Sequence, residues 1–211
     1  MKIFRGVFSP IQVNTYIITG NDRECIVIDC GCYGGEEEKR MEEMLVSRGL
    51  TPVMLLGTHC HLDHVFGNRF MLERYGLRSW FHEGDRPNYL NAPKHSLMFG
   101  LSMEAPPDPA GFLTDGQEIT AAGVTLKVIA VPGHSPGGIA FWSEADGVVF
   151  TGDALFAGSI GRSDLPGGDH EQLMENIRER LFILPPETVV YPGHGPETTI
   201  RQEMETNPFF S

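Results

Sequence analysis

The run Thr58-His59-Cys60-His61-Leu62-Asp63-His64 places three histidines and an aspartate within six positions. Imidazole and carboxylate donors at that density serve metal coordination rather than packing. The run does not stand alone. Val131-Pro132-Gly133-His134, Phe150-Thr151-Gly152-Asp153 and Tyr191-Pro192-Gly193-His194 repeat one order of parts: an apolar strand-like run, a glycine, then a donor. Strand ends that each finish on a donor deliver ligands to one place. In an extended loop, residues i and i+2 point the same way. His59 and His61 therefore grip one ion from one side, and Asp63 and His64, a step further on, face a second. His134 completes the first set and His194 the second, while Asp153 bridges the two. Such donors suit zinc in the first place, and also iron or manganese. Two divalent ions about 3.5–4 Å apart would share a water whose pKa falls towards about 7. Glycine near each donor lets the backbone turn tightly beside the ions. Asp29, at a strand end beside a glycine, is placed either to orient a metal-bound histidine as a hydrogen-bond acceptor or to cap a helix or turn. His82, His95 and His170 stay outside the set, and Cys60 points away from His59 and His61 as a packing residue.

The elements that position these donors are legible as alternations and stripes. The first 30 residues form an antiparallel meander, with Val13 to Ile18 and Cys25 to Ile28 as strands and Gly20-Asn21-Asp22 as a turn. Glu36 to Arg48 is a helix with Met41, Met44 and Leu45 on one face and Gly49 as its stop. Val53 to Leu56 is a short buried strand ahead of the histidine run, and Asn68 to Tyr75 is a second helix. Residues 83 to 112, rich in proline, read as an irregular connection at the edge of the site. The second half follows the plan of the first. Glu118 to Thr120 and Val124 to Val131 form a hairpin, and Gly138 to Trp142 and Val148 to Phe150 continue the meander. A glycine-rich loop runs from Gly158 to Gly168. Asp169 then opens a helix, with His170 in its first turn and Gln172 as capping-box partner. Leu173, Ile177 and Leu181 lie along one face of that helix, and Val189 to Tyr191 is the last strand. Two sheets packed face to face with helices outside, and ligand loops meeting at one edge, accommodate all of these.

Composition excludes several classes. A chain of 211 residues with 41% hydrophobic and 21% charged residues is ordinary for a globular protein with a proper core. The net charge of −12 argues against nucleic acid and against an anionic membrane surface as partner. No apolar run approaches the roughly 20 residues a membrane span needs, and the N-terminus shows no signal peptide. The four cysteines, Cys25, Cys30, Cys32 and Cys60, make no disulfide framework and read as reduced thiols of a cytoplasmic protein. The sequence carries no signal for an oligomeric state.

His59-x-His61-x-Asp63-His64, with Gly133-His134, Gly152-Asp153 and Gly193-His194, resembles the metallo-beta-lactamase superfamily over nearly the whole chain. The resemblance implies an α+β fold, a four-layer αββα sandwich over residues 1–211, with the metals at one edge of the two sheets. Within the superfamily the chain is similar to the glyoxalase II, or hydroxyacylglutathione hydrolase, group. The segment from Gly152 to Asp164 is similar to the short bacterial members that lack the C-terminal helical domain. The implied reaction is hydrolysis of an S-acyl thioester, a small molecule of the S-lactoylglutathione type. Asp63 would serve both as a ligand and as the carboxylate that orients the attacking hydroxide. Where longer enzymes carry a lysine and a tyrosine after the metal aspartate, this chain has Arg162 and Asp164. Arg162 is thus the candidate clamp for a substrate carboxylate, with a loop salt bridge to Asp164 as the alternative. Persulfide dioxygenases of the superfamily hold one iron by two histidines and an aspartate, here His59, His134 and Asp153. That chemistry and lactonase-type hydrolysis are the competing readings. A non-catalytic metal-holding relative would have lost donors, and none is missing.

Overall fold

A computed structural model describes residues 1–21 and 23–210, so Asp22 of the expected first turn lies outside the described residues. The first six-stranded sheet runs, in spatial order, β1 (Lys2–Phe8), β2 (Val13–Thr19), β3 (Glu24–Ile28), β4 (Thr51–Leu56), β5 (Ser79–His82) and β6 (Gly111–Leu113). Pairing is antiparallel from β1 to β3 and parallel from β3 to β6. Parallel neighbours need crossovers. These are α1 (Gly35–Val46), then α2 (Leu62–Val65) with α3 (Asn68–Tyr75), then α4 (Arg86–Met98). The second sheet comprises β7 (Glu118–Ala121), β8 (Val124–Ala130), β9 (Ile139–Ser143) and β10 (Val148–Gly152), antiparallel throughout. A small hairpin, β11 (Leu155–Phe156) with β12 (Ser159–Ile160), and α5 (His170–Asn176) lead to β13 (Val189–Pro192), which lies parallel to β10. Strand β14 (Thr198–Thr199) closes the sheet and α6 (Ile200–Thr206) ends the order of elements.

The layers follow from the period-two alternation of strand side chains. On β3, Ile26 and Ile28 enter one apolar cluster while Cys25 and Val27 enter another. On β10, Val148 and Phe150 face inward and Val149 faces outward. The cluster between the sheets draws Tyr16, Ile18 and Leu56 from one and Leu126, Val128 and Phe141 from the other. Met41, Leu45 and Met71 cover the outer face of the first sheet. Leu173, Ile177, Leu181 and Ile200 cover the second. The result is the αββα sandwich. All four cysteines are buried and free. No helix among the described residues is long and apolar enough to cross a membrane.

Three local expectations change. Residues 83 to 112 are not an irregular connection throughout, because 86–98 form α4 with Pro93 inside it. Proline within the first turn fits a helix start. No apolar stripe announces this helix: it buries Asn88, Ala92 and Ser96 while Leu90, Leu97 and Met98 stay exposed. The capping box at Asp169 is half made. Gln172 N donates to Asp169 Oδ1 at 3.0 Å, but Asp169 N donates to the carbonyl of Gly133 instead, at 2.7 Å. That bond ties the helix to the loop bearing His134. Finally, Asp63 and His64 do not continue an extended loop. His61 is extended, and the next two donors sit in the single turn of α2.

Candidate metal centre

The seven donors meet at one edge of the sandwich, five following strand ends and Asp63 and His64 carried by α2. His59 and His61 follow β4, His134 follows β8, Asp153 follows β10 and His194 follows β13. His134 Nε2 lies 3.2 Å from His59 Nε2 and 2.8 Å from His61 Nδ1, so one all-imidazole set converges. His194 Nε2 lies 3.1 Å from Asp63 Oδ2, and His64 Nε2 lies 3.7 Å from that same oxygen, which makes a second set. Asp153 Oδ2 stands between them, 3.7 Å from His134 Nε2 and 3.5 Å from His194 Nε2. Asp153 Oδ1 is 3.3 Å from His64 Nε2. His59, His61 and His134 lie together, as do Asp63, His64 and His194, and His59, His64 and Asp153 form a third triad across them, with a helical turn in place of the extended loop at Asp63 and His64.

Hydrogen bonds to the far ring nitrogens set the tautomers. A carbonyl oxygen only accepts, so His134 Nδ1 donates to Arg162 O at 2.6 Å and His194 Nδ1 donates to Gln12 O at 3.1 Å. Thr58 spends its one hydroxyl proton on Asp29 Oδ2 at 2.7 Å, so its Oγ1 accepts from His59 Nδ1 at 3.2 Å. Asp29 Oδ2 also stands 3.0 Å from His64 Nδ1. Asp29 thus stands beside His64 and is hydrogen-bonded to Thr58, whose hydroxyl in turn meets His59. In these tautomers Nε2 of His59, His134 and His194 is a lone pair. The His194 lone pair faces two carboxylates, which is repulsive unless a proton or a cation stands between. Both ring nitrogens of His64 and Asp153 Oδ1 are buried with no hydrogen-bond partner, Asp29 Oδ2 standing near His64 Nδ1 only at ion-pair distance. The residues fit divalent ions: His59, His61 and His134 would hold one, Asp63, His64 and His194 a second, and Asp153 both.

Charge differs between the two sets. Burial, reinforced by the neighbouring histidines, holds His59 well below the usual histidine range and takes His61 to about 3. Burial alone would do the same to His64, but the carboxylates of Asp153, Asp63 and Asp29 outweigh it and lift that ring well above its ordinary value. His194 is raised despite burial by its contact with Asp63 and the charge of Asp153. Asp63 and Asp153 are both lowered, because the nearby His64 outweighs the burial that would raise them.

Crowding fixes glycines at this edge, Gly193 and Gly152 among them. A Cβ on Gly193 would collide with Asp153 Oδ1 and come within 2.8 Å of His64 Cε1. Gly152 has φ 51°, and its Cβ would strike the Thr58 hydroxyl. Gly57 has no such constraint, since the nearest atoms to its Cβ lie at 3.5 Å. The glycine near His59 is thus not needed for a tight turn.

Several residues that position the site carry no sequence signal. Buried Asp85 accepts from Cys60 N at 2.6 Å and from Gly137 N at 2.7 Å, clamping the His59–His64 run to the loop after His134. Asn14 Nδ2 donates to the carbonyls of Pro192 and Gly195, each at 2.9 Å, and Tyr16 OH donates to that of Pro192 at 2.7 Å. The His194 loop of the second sheet is thereby latched to β2 of the first. Cys60 packs against Phe81 and Tyr89, as expected of a packing residue. His82 accepts from Gly84 N at 3.1 Å, and His170 opens α5.

A cavity of about 680 Å³ opens in front of the donors, lined by His61, Asp63, His134, Asp153 and His194 on its floor. Arg162 lies on its wall, but its guanidinium makes a two-point ion pair with Asp164, at 2.7 and 2.8 Å. His95, placed outside the donor set from sequence, also lines this cavity.

A sequence profile of the metallo-beta-lactamase superfamily matches residues 9–194. Hydroxyacylglutathione hydrolase GloC of Haemophilus influenzae is 36% identical over 208 residues, 96% of this chain and 95% of that protein. The crystal structure of the BLEG-1 B3 metallo-beta-lactamase matches with a TM-score of 0.91 at 33% identity, covering 100% of both chains. The crystal structure of TTHA1623 in a di-iron-bound form matches with a TM-score of 0.88 at 38% identity, covering 98% of this chain and 99% of that one.

Proposed function

The chain belongs to the metallo-beta-lactamase superfamily, and we propose that it acts there as a two-metal hydrolase of thioesters, of the glyoxalase II kind. The observation that carries this reading is the position of Asp153 Oδ2, within 3.7 Å of His134 Nε2 and 3.5 Å of His194 Nε2. One carboxylate shared between a three-histidine set and a set containing Asp63 is the arrangement that two neighbouring ions need. The likeness to a hydroxyacylglutathione hydrolase over most of both chains supports the substrate class. Two divalent ions bound there would polarise a carbonyl and supply a hydroxide at neutral pH.

The chain's own residues do the rest. Asp63 lines the cavity floor and is 6% exposed, so its carboxylate is held in place to accept a hydrogen bond from the attacking water and orient it. Asp29, through Thr58, keeps His59 in the tautomer that offers Nε2 inward, and its charge faces His64 Nδ1 at 3.0 Å. A thiolate leaves readily without a strong general acid, so a thioester suits this site, whose floor is made of ligands.

The test is steady-state hydrolysis of S-D-lactoylglutathione and of a neutral acetyl thioester by metal-quantified protein, beside the metal-stripped control. Turnover of either that depends on metal supports the reading. Metal-loaded protein that leaves both intact contradicts it. One bound iron with oxygen uptake on a persulfide would replace it with the dioxygenase, and cleavage of a β-lactam alone would replace it with amide hydrolysis.

A further inference from the structure

The wall of the cavity differs in chemistry from its floor. Ile11, Met98, Phe99, Phe156, Leu165 and Pro166 line it beyond the donors. Met98 is 78% exposed and Phe99 is 52% exposed, at the C-terminal end of α4, so two large apolar side chains stand in water at the cavity mouth. Exposed apolar surface continuous with a ligand cavity marks what the ligand brings to it. Charge gives the complementary observation. Among the residues lining the cavity, Arg162 is the one lysine or arginine, and Asp164 already takes its guanidinium through two hydrogen bonds. His95 is the remaining basic side chain outside the donor floor. The glutathione moiety carries two carboxylates and an ammonium group. Asn88 Nδ2, buried and without a partner, is the one further donor on this wall, and a neutral amide beside a committed guanidinium does not pair two carboxylates.

Resting on the thioesterase reading above, we propose that the substrate is an uncharged thioester with an apolar chain beside its carbonyl, and that Met98 and Phe99 are the specificity-determining residues that cover that chain. The carbonyl lies over the donor floor, and the chain leaves along the end of α4. Water attacks the carbonyl carbon, the carbon–sulfur bond breaks, and the products are a carboxylic acid and a thiol. The charged carboxylate product has no partner on the apolar wall, which favours its release.

The experiment compares two series with metal-loaded protein: N-acetylcysteamine thioesters of acetic to octanoic acid, and S-alkyl thioacetates from ethyl to octyl. Burying a methylene stabilises by about 0.8 kcal/mol, which sets a ceiling of about fourfold in kcat/KM per added carbon. The expected result is a rise of that order in at least one series. Met98→Ser and Phe99→Ser should flatten the slope, Ile183→Ser, exposed elsewhere on the molecule, should leave it unchanged, and S-D-lactoylglutathione should be turned over less well than the best neutral chain. Turnover that is flat along both series, or that is best with S-D-lactoylglutathione, overturns the apolar-substrate proposal and leaves the hydrolase reading standing. If no thioester is turned over, calorimetric binding of the octanoyl amide analogue separates the two claims. Binding that Phe99→Ser weakens about tenfold retains the apolar site and discards thioester hydrolysis, whereas no binding discards both.

Discussion

The two halves of the metal centre are built from different materials. His59, His61 and His134 form an all-imidazole set, in which burial and the neighbouring histidines hold His59 and His61 below the usual histidine range. Asp63, His64 and His194 form a set in which carboxylates draw protons onto both imidazoles. In the first set His61 Nδ1 and His134 Nε2 stand 2.8 Å apart, one ring donating to the other. The second holds protons where an ion would sit, and its carboxylates repay the exchange with charge. Asp153 alone belongs to both. A buried cluster can therefore hold two like-charged ions side by side only if one half supplies the negative charge.

Breaking the shared ligand has the largest expected effect. Asp153→Ala should remove both ions and lower hydrolysis by about 10³-fold or more, given the several kcal/mol of transition-state stabilisation that metals supply. Elemental analysis beside the rate checks this, and loss of one ion with the other retained would show that Asp153 is not shared. Proton competition sharpens the contrast. His64 and His194 of the metal-free protein are both raised, His64 well above its ordinary value, so an ion entering their set competes with protons. Affinity there should fall as pH drops, by up to about tenfold per pH unit for each proton displaced. His61, at about 3, gives the other set no such loss near neutrality. Metal titrations of stripped protein at pH 8, 7 and 6 should show the mixed set emptying first.

Smaller effects lie further out. Asp29→Asn should weaken metal binding about 10–100-fold, more in the mixed set through His64 than in the histidine set through Thr58, as read by competition with a chelator. Asp85→Ala should act on neither set preferentially. It leaves two buried amides, Cys60 N and Gly137 N, without an acceptor, and should cost about 2–4 kcal/mol of stability in denaturant unfolding of the metal-free protein.

What sequence reveals here follows from how each residue works. The sheets were legible because Ile26 and Ile28 alternate with Cys25 and Val27, a pattern set by burial on two faces. The donors were legible because coordination needs particular residue types at strand ends. Helix α4 was hidden by Pro87 and Pro93 and because Tyr89 is the one large apolar residue it buries, beside Asn88, Ala92 and Ser96. Asp85 and Asn14 were hidden for another reason. They act on backbone amides and carbonyls remote in the chain, and a backbone group leaves no mark on the sequence that binds it. Arg162 shows both sides of this. Its side chain drew notice, while the atom that touches the site is its carbonyl, on His134 Nδ1.

The most direct measurement is metal content per chain with thioester hydrolysis, in the parental protein and in Asp63→Ala. The account predicts two ions in the parental protein and about one in the variant, held by the histidine set, with most of the hydrolytic rate gone. A variant that keeps both ions and the full rate would contradict it, as would a fully active parental protein with a single ion.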